Sequence, residues 1–196
     1  MSGRTVIVSG ASSGIGAATA RAFGRAGDRI VITARRADRL EALAAEIPNA
    51  LVVPADLTQD GEIARIVDAA TARFGAVDVL VNNAGVALSY DWFERVRDED
   101  VRTEVSLNLV APILLARAVL PGMQARGRGT IINVGSVAGR VGAATTSIYN
   151  ATKFGLDGFS LALSREVLSQ GIHVCVIYPG PTTGTEFGTH TRPDSG

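Results

Sequence analysis

Apolar positions follow two periods along this chain. Short, continuous apolar and β-branched runs occur at Thr5–Ser9, Arg29–Ala34, Ala50–Ala55, Val77–Val81, Gly129–Val134 and Ile172–Tyr178. Unbroken apolarity, rather than in/out alternation, marks strands buried on both faces of a parallel sheet. Between the runs, apolar residues recur every three to four positions. This predicts helices over Ala17–Ala26, from Arg35–Arg36 through Ile47, from about Gln59, over Asp98–Arg126 and over Ser147–Ser169. Strand and helix alternate throughout, with no internal repeat and no linker. The pattern predicts an α/β fold, a parallel sheet with helices on both faces.

Bulk properties narrow the function more by exclusion. With 196 residues the chain fits one domain with a real core. Nineteen basic and nineteen acidic residues give a net charge of zero, which argues against a nucleic acid or membrane surface held by charge. The N-terminus runs straight into a strand without a signal-peptide apolar segment. The most apolar long stretch, Leu107–Leu120, is too short to span a bilayer and contains Pro112 and Arg117. A lone cysteine, Cys175, excludes an internal disulfide and fits a reducing compartment. It lies in an apolar strand and reads as a buried, inert thiol. These features together predict a cytoplasmic protein. His173 and His190 have no second ligand at metal spacing, so no metal is assigned.

Candidate chemistry begins after the first strand, at Gly10-Ala-Ser12-Ser13-Gly14-Ile15-Gly16. Three glycines between a strand and a helix start let the backbone turn tightly and approach a ligand, and the free N–H groups there favour an anion. No P-loop lysine is present, which argues against a nucleoside triphosphate. The second strand ends in Ala34-Arg35-Arg36. In dinucleotide-binding folds an acid at this point bonds the ribose 2′-hydroxyl, whereas arginine accommodates a 2′-phosphate. The pair therefore favours NADP over NAD. Asp56, before Leu57-Thr58, either bonds an adenine amino group or caps the next helix. Asn82-Asn83-Ala84-Gly85 ends the fourth strand with the small and amide residues that a ligand crevice needs. The stretch Ser89–Asp98, with Tyr90, Trp92 and Phe93, reads equally as a loop beside the substrate or a surface patch. Asn108 interrupts an apolar helical pattern, and a buried amide needs partners; it is either structural glue or part of a site.

The most informative stretch is Gly135–Lys153. Tyr149 and Lys153 are four residues apart, hence on one helical face. A phenol has an ordinary pKa of ~10, and a neighbouring ammonium favours the phenolate and lowers that value toward neutrality. Ser136, at the end of the preceding strand, is placed to hydrogen-bond the same reacting oxygen. The trio reads as a proton-transfer centre for a carbonyl/alcohol pair. Its bland alternative is a half-buried tyrosine beside a solvated lysine.

Collected in order, Ser9-Gly10-x3-Gly14-x-Gly16, Asn82-Asn83-Ala84-Gly85, Ser136, Tyr149 and Lys153 resemble the short-chain dehydrogenase/reductase family, almost over the whole chain to Gly180. Serine replaces the family's threonine at position 9 and keeps the hydroxyl. The resemblance implies a Rossmann-type doubly wound sheet and a catalytic set of Asn108, Ser136, Tyr149 and Lys153. In that set Tyr149 is the acid/base and Ser136 polarises the carbonyl. Lys153 tunes the phenol and holds the nicotinamide ribose, while Asn108 positions a relay water. By the same analogy NADP(H) contacts Gly10, Ser12, Ser13, Gly14, Ile15 and Gly16. Arg35 and Arg36 take the 2′-phosphate, Asp56 and Leu57 flank the adenine, and Asn83, Ala84 and Gly85 line the groove. Pro179 and Gly180 hold the nicotinamide end. The family's carboxamide-binding threonine falls at Gly184, between Thr183 and Thr185, and a one-residue insertion shifts that contact to Thr185.

The family usually continues to a seventh strand, which the chain lacks before its last residue, Gly196. The expected division is therefore a catalytic Rossmann domain over 1–180 and the start of a flexible substrate loop over 181–196. The chain is either truncated or a minimal form. The helices carrying Asn108 and Tyr149 are the expected homo-oligomer face, and no nucleic-acid or membrane partner is expected. The function expected is NADP(H)-dependent interconversion of a small alcohol and its carbonyl. A dinucleotide-binding protein without turnover is the alternative, and a nucleotide-sugar epimerase is a weaker one.

Overall fold

The computed structural model describes residues 3–180. Thr185, His190 and the other residues of 181–196, expected as a flexible substrate loop, fall outside the described residues. Six strands form one parallel sheet: β1 Thr5–Ser9, β2 Arg29–Thr33, β3 Ala50–Val52, β4 Val79–Asn82, β5 Gly129–Val134 and β6 Ile172–Ile177, in the spatial order β3-β2-β1-β4-β5-β6. The α-helices are α1 Gly14–Arg25, α2 Ala37–Ala44, α3 Glu62–Phe74, α4 Asp98–Val105, α5 Ala111–Arg126 and α6 Ser147–Val167. The doubly wound sheet expected from the alternating pattern is the observed one. Strand order reverses between β1 and β4, and that switch point opens the crevice where such sheets bind ligands.

Each face of the sheet has its own core. Val6, Val8, Ile30, Ile32, Val79 and Val81 pack against α1 and α2 residues such as Ala17, Ala20, Leu40 and Leu43. Ile7, Val31, Leu80 and Ile131 face Ile66, Leu115, Val119 and Met123 on the other side. Neighbouring residues of one strand thus enter opposite cores, which is why the strands read as unbroken apolar runs.

Several boundaries differ from the sequence pattern for local reasons. The β3 ladder ends at Val52, although Val53 and Ala55 still donate to Ile32 O and Ala34 O at 3.0 Å; Pro54 falls between these donors, at a position whose N–H would face away from β2. Helix α3 begins at Glu62 rather than near Gln59, because Gly61 is left-handed at φ 82° and separates the preceding turn from the helix. Asp98–Arg126 is continuous, but Ser106–Val110 is a π-helical turn in which the Ala111 N–H donates to Ser106 O. By length and composition this segment could cross a membrane; its buried residues Ala111, Leu115, Ala116, Val119 and Met123 belong to the core. Cys175 is exposed, not buried. Along β6, Ile172 is buried while His173, Cys175 and Ile177 are exposed, because β6 is the outermost described strand and α6 packs against it. Desolvation still raises the Cys175 thiol pKa.

Candidate active site

The glycine-rich turn lies at the switch point and is locked to the end of β4. Ser9 Oγ accepts from the N–H groups of Asn83 at 3.0 Å and Ala84 at 3.1 Å. Asn83 Nδ2 returns two bonds, to Ser9 O at 3.0 Å and Gly10 O at 3.1 Å. Gly10 has φ 65°, and a Cβ there would lie 2.7 Å from Ala84 Cα. A Cβ on Gly16 would collide with Gly10 O and lie 2.5 Å from Asn83 Nδ2. Glycine is therefore required by close packing of backbone on backbone, and the amide read from sequence as groove lining is what holds the turn. Gly14, Ile15 and Gly16 fall in the first turn of α1. Its N-cap residue, Ser13, makes no side-chain cap, so the helix N-terminus presents its N–H groups to the crevice. These features fit the pyrophosphate of a dinucleotide.

At the end of β2, Arg36 Nη2 donates to Ser12 Oγ at 2.9 Å and Ser13 Oγ at 3.2 Å. The turn and the arginine pair are thus parts of one polar surface. Arg35 lies on the other side, where it lines a shallow cavity of about 320 Å³ with Pro54, Ala55, Asp56 and Glu62. Asp56 caps neither α3 nor any other helix. Its Oδ1 accepts from Thr58 N at 3.0 Å and Thr58 Oγ1 at 2.7 Å, forming a local turn. Burial works to raise the Asp56 pKa, but the Thr58 bonds and the Arg35 charge hold it below the ordinary carboxylate value. Leu57 is buried in the core, so any contact it makes in that cavity comes from its backbone.

The residues expected to do acid/base chemistry meet at the ends of β4 and β5. Ser136 follows β5 and accepts from Ala138 N at 3.1 Å; its side chain is also hydrogen-bonded to Tyr149. Lys153, one turn along α6, donates to Val134 O at 3.0 Å, and its Nζ lies 5.7 Å from the centre of the Tyr149 ring. Asn108 sits in the π-turn with both ends of its amide engaged by Val86: Oδ1 accepts from Val86 N at 2.8 Å and Nδ2 donates to Val86 O at 2.7 Å. A Cβ on Gly85 would lie 3.2 Å from Asn108 Oδ1 and 3.8 Å from Lys153 Nζ. Asn108 is therefore both structural glue and a neighbour of the lysine. Pro112 has no N–H to offer the carbonyl four residues back, that of Asn108. Pro179 and Gly180 follow β6, and Pro179 O accepts from Val137 N at 3.4 Å, next to Ser136.

The electrostatics depart from the spacing argument. Tyr149 and Lys153 are both buried, at 7% and 5% exposure. Burial is the largest influence on Tyr149 and pushes its pKa up to about 12; the Ser136 bond opposes this, and the charges of Tyr90 and Glu104 add to it. Burial likewise brings Lys153 down to about 8, against the pull of Glu104. The lowering of the phenol expected from the ammonium does not appear, because burial is the largest influence on both groups.

Other residues shape the site without standing out in the sequence. Asn150, beside Tyr149, donates to Ala138 O at 2.6 Å and Val141 O at 2.9 Å and accepts from Ala143 N at 3.2 Å. It closes the loop between Ser136 and α6. Tyr178 joins Asp157 of α6 and Arg140 of that loop, fixing the approach to Pro179. Glu104 is fully buried on α4. Its signal was available: an acid one turn before Asn108 lies on the same helical face as the buried amide.

A glycine turn at the switch point of a parallel sheet, with a hydroxyl, a phenol and an ammonium gathered at the strand ends, defines a Rossmann-type fold. The family model for short chain dehydrogenases matches residues 4–196, and the chain belongs to that family. Among curated relatives, the NADP-dependent 3-hydroxy acid dehydrogenase YdfG of Salmonella typhi is 39% identical over 185 residues, covering 94% of this chain and 75% of the relative. Among solved structures, a metagenomic short-chain oxidoreductase in complex with NADP is 37% identical with a TM-score of 0.87, covering 93% of this chain and 84% of that one. Serine dehydrogenase, in a closed form complexed with NADP+, is 35% identical with a TM-score of 0.91, covering 94% and 75%.

Proposed function

We propose that this chain is an NADP(H)-dependent oxidoreductase that interconverts an alcohol and its carbonyl, with Tyr149 as the acid/base. The observation that carries the reading is the convergence of the Ser136 hydroxyl and the Tyr149 phenol at the strand ends, with the Lys153 ammonium buried beside them. Bound NADP(H) supplies the hydride. The glycine turn and the N-terminus of α1 hold its pyrophosphate, Arg35 and Arg36 hold the 2′-phosphate, and Lys153 and Pro179-Gly180 lie toward the nicotinamide end. Ser136 and Tyr149 both donate toward the carbonyl oxygen during reduction, and Tyr149 gives up its proton there. Asn108 keeps Val86 and the lysine in register and supports a water path for reprotonation. NADP-dependent relatives and the two arginines favour this cofactor over NAD. Residues 1–180 form the catalytic unit.

A cytoplasmic location fits the neutral charge and the relatives' chemistry. Val110, Leu114, Phe154 and Leu161 are exposed apolar residues on the π-turn, α5 and α6, and they support a homo-oligomer formed through these helices. The decisive test is Tyr149→Phe. It should abolish carbonyl reduction, by about 10²–10⁴-fold, with NADPH affinity nearly unchanged in a fluorescence titration. Retained turnover would remove Tyr149 from the acid/base role.

A further inference from the structure

Glu104 is the one fully buried carboxylate among the described residues that faces the catalytic helix, and no step above uses it. All of its observed bonds fall on one oxygen. Oε2 accepts from Leu88 N at 3.2 Å, Ser89 N at 3.2 Å and Ser89 Oγ at 2.7 Å. Oε1 is buried and meets no donor among the described residues. Three donors on one oxygen is the arrangement of a carboxylate oxygen used as an anchor.

The anchored segment is the one that follows Gly85. Asn108 holds its start at Val86, and Glu104, one helical turn earlier, holds Leu88 and Ser89. Two polar residues on one helical face thus clamp successive residues of the loop after β4. The next residue is Tyr90, which is 42% exposed. The clamped loop starts at Gly85, where a Cβ would lie 3.8 Å from Lys153 Nζ, so its first residues run beside the acid/base pair. The titratable groups facing Glu104 are Tyr90 from the loop and Tyr149 and Lys153 from α6. On its own helix, Asp100 is engaged by Arg97.

We propose that Glu104 is a positioning residue of this site: with Asn108 it clamps the loop that follows Gly85 and so holds that wall of the site against Lys153, and its carboxylate adds negative charge on the same side. The proposal rests on the reading of Tyr149 and Lys153 as the acid/base pair. The charge favours the protonated forms of both the lysine and the phenol, the forms that carbonyl reduction requires. Without it, both groups lose their protons at lower pH.

Two variants separate the clamp from the charge. Glu104→Gln keeps an oxygen for the Leu88 and Ser89 amides and removes the charge. In NADPH-dependent reduction its alkaline limb of kcat/KM should move to lower pH by about half a unit to one unit, with substrate KM at neutral pH changed less than about threefold. Glu104→Leu accepts nothing. It should raise substrate KM about tenfold or more and release the Leu88 and Ser89 amides to hydrogen exchange. If that variant does not fold, Ser89→Ala, which removes one donor, should raise KM in the same direction with the pH profile unmoved. An unshifted pH profile in Glu104→Gln, or protected loop amides in folded Glu104→Leu, would overturn the proposal. Amide exchange is read without turnover, so it tests the clamp even if Tyr149→Phe remains active and the reading of the site fails.

Discussion

Replacing Lys153 with methionine should set stability against function. The ammonium is 5% exposed, and burial brings its pKa from 10.5 to about 8. That gap means that keeping the lysine charged inside the fold at neutral pH costs about 3 kcal/mol. Methionine fills similar space without charge, but it gives up the 3.0 Å bond to Val134 O and leaves that carbonyl unpaired, a loss of about 2 kcal/mol. The variant should therefore be more stable than the parent by about 1 kcal/mol near pH 7, which for a chain of this size is about 2–4 °C in Tm. Turnover should fall by about 10²–10⁴-fold.

The pH dependence gives the sharper test. For a base whose folded pKa is depressed, the penalty is present in full below the folded value. It shrinks as pH rises from about 8 toward 10.5 and is gone above 10.5, where the unfolded lysine is neutral too. The parent thus gains on the variant through that window. The two should cross, with the variant less stable by about 1 kcal/mol near pH 10, where the lost hydrogen bond dominates. Urea unfolding of both proteins at several pH values between about 7 and 10 measures this, and titrations common to both cancel in the difference. A stability difference that stays constant across the range would refute the claim that Lys153 is buried as a strained cation.

Three further outcomes follow from other parts of the site. Arg35→Asp should weaken NADPH binding at least about tenfold more than NADH binding, since it replaces a phosphate partner with a like charge; equal losses in paired titrations would refute the 2′-phosphate assignment. Gly16→Ala forces a methyl group against Gly10 O and Asn83 Nδ2, so it should destabilise the fold by about 1–3 kcal/mol and reduce NADPH affinity. Unchanged thermal shift and affinity would show that the turn has slack. Phe154→Glu puts a carboxylate on the exposed apolar face of α6 and should shift the chain toward monomer in sedimentation velocity at micromolar concentration; an unchanged mass would place any interface elsewhere.

The fold was legible because burial on both sides of a parallel sheet leaves unbroken apolar runs, and because Gly10, Gly14 and Gly16 have no cheaper use than a tight turn on a helix start. What failed was local. Gly61 set the start of α3, and nothing in the hydrophobic period marks a left-handed glycine. Cys175 alternates outward because β6 is the outermost described strand, and strand position within a sheet is a tertiary fact that an apolar run does not encode. The π-turn at Ser106–Val110 was invisible for the same reason, since one extra residue in a helical turn barely alters the pattern of apolar positions.

The chemistry shows the same divide more sharply. Helical spacing put Tyr149 and Lys153 on one face, and the end of a strand put Ser136 near them; Glu104 went unread. Spacing carries no information about solvent, however, and solvent decides the sign here. An exposed ammonium one turn from a phenol lowers its pKa; here both groups are buried, and burial drives the phenol up and the lysine down. Burial thus favours the neutral form of each group, the protonated phenol and the uncharged amine. That state suits a proton donor for carbonyl reduction better than a base for alcohol oxidation. Oxidation then depends on positive charge reaching the buried pair, while Glu104 keeps what charge the lysine already has.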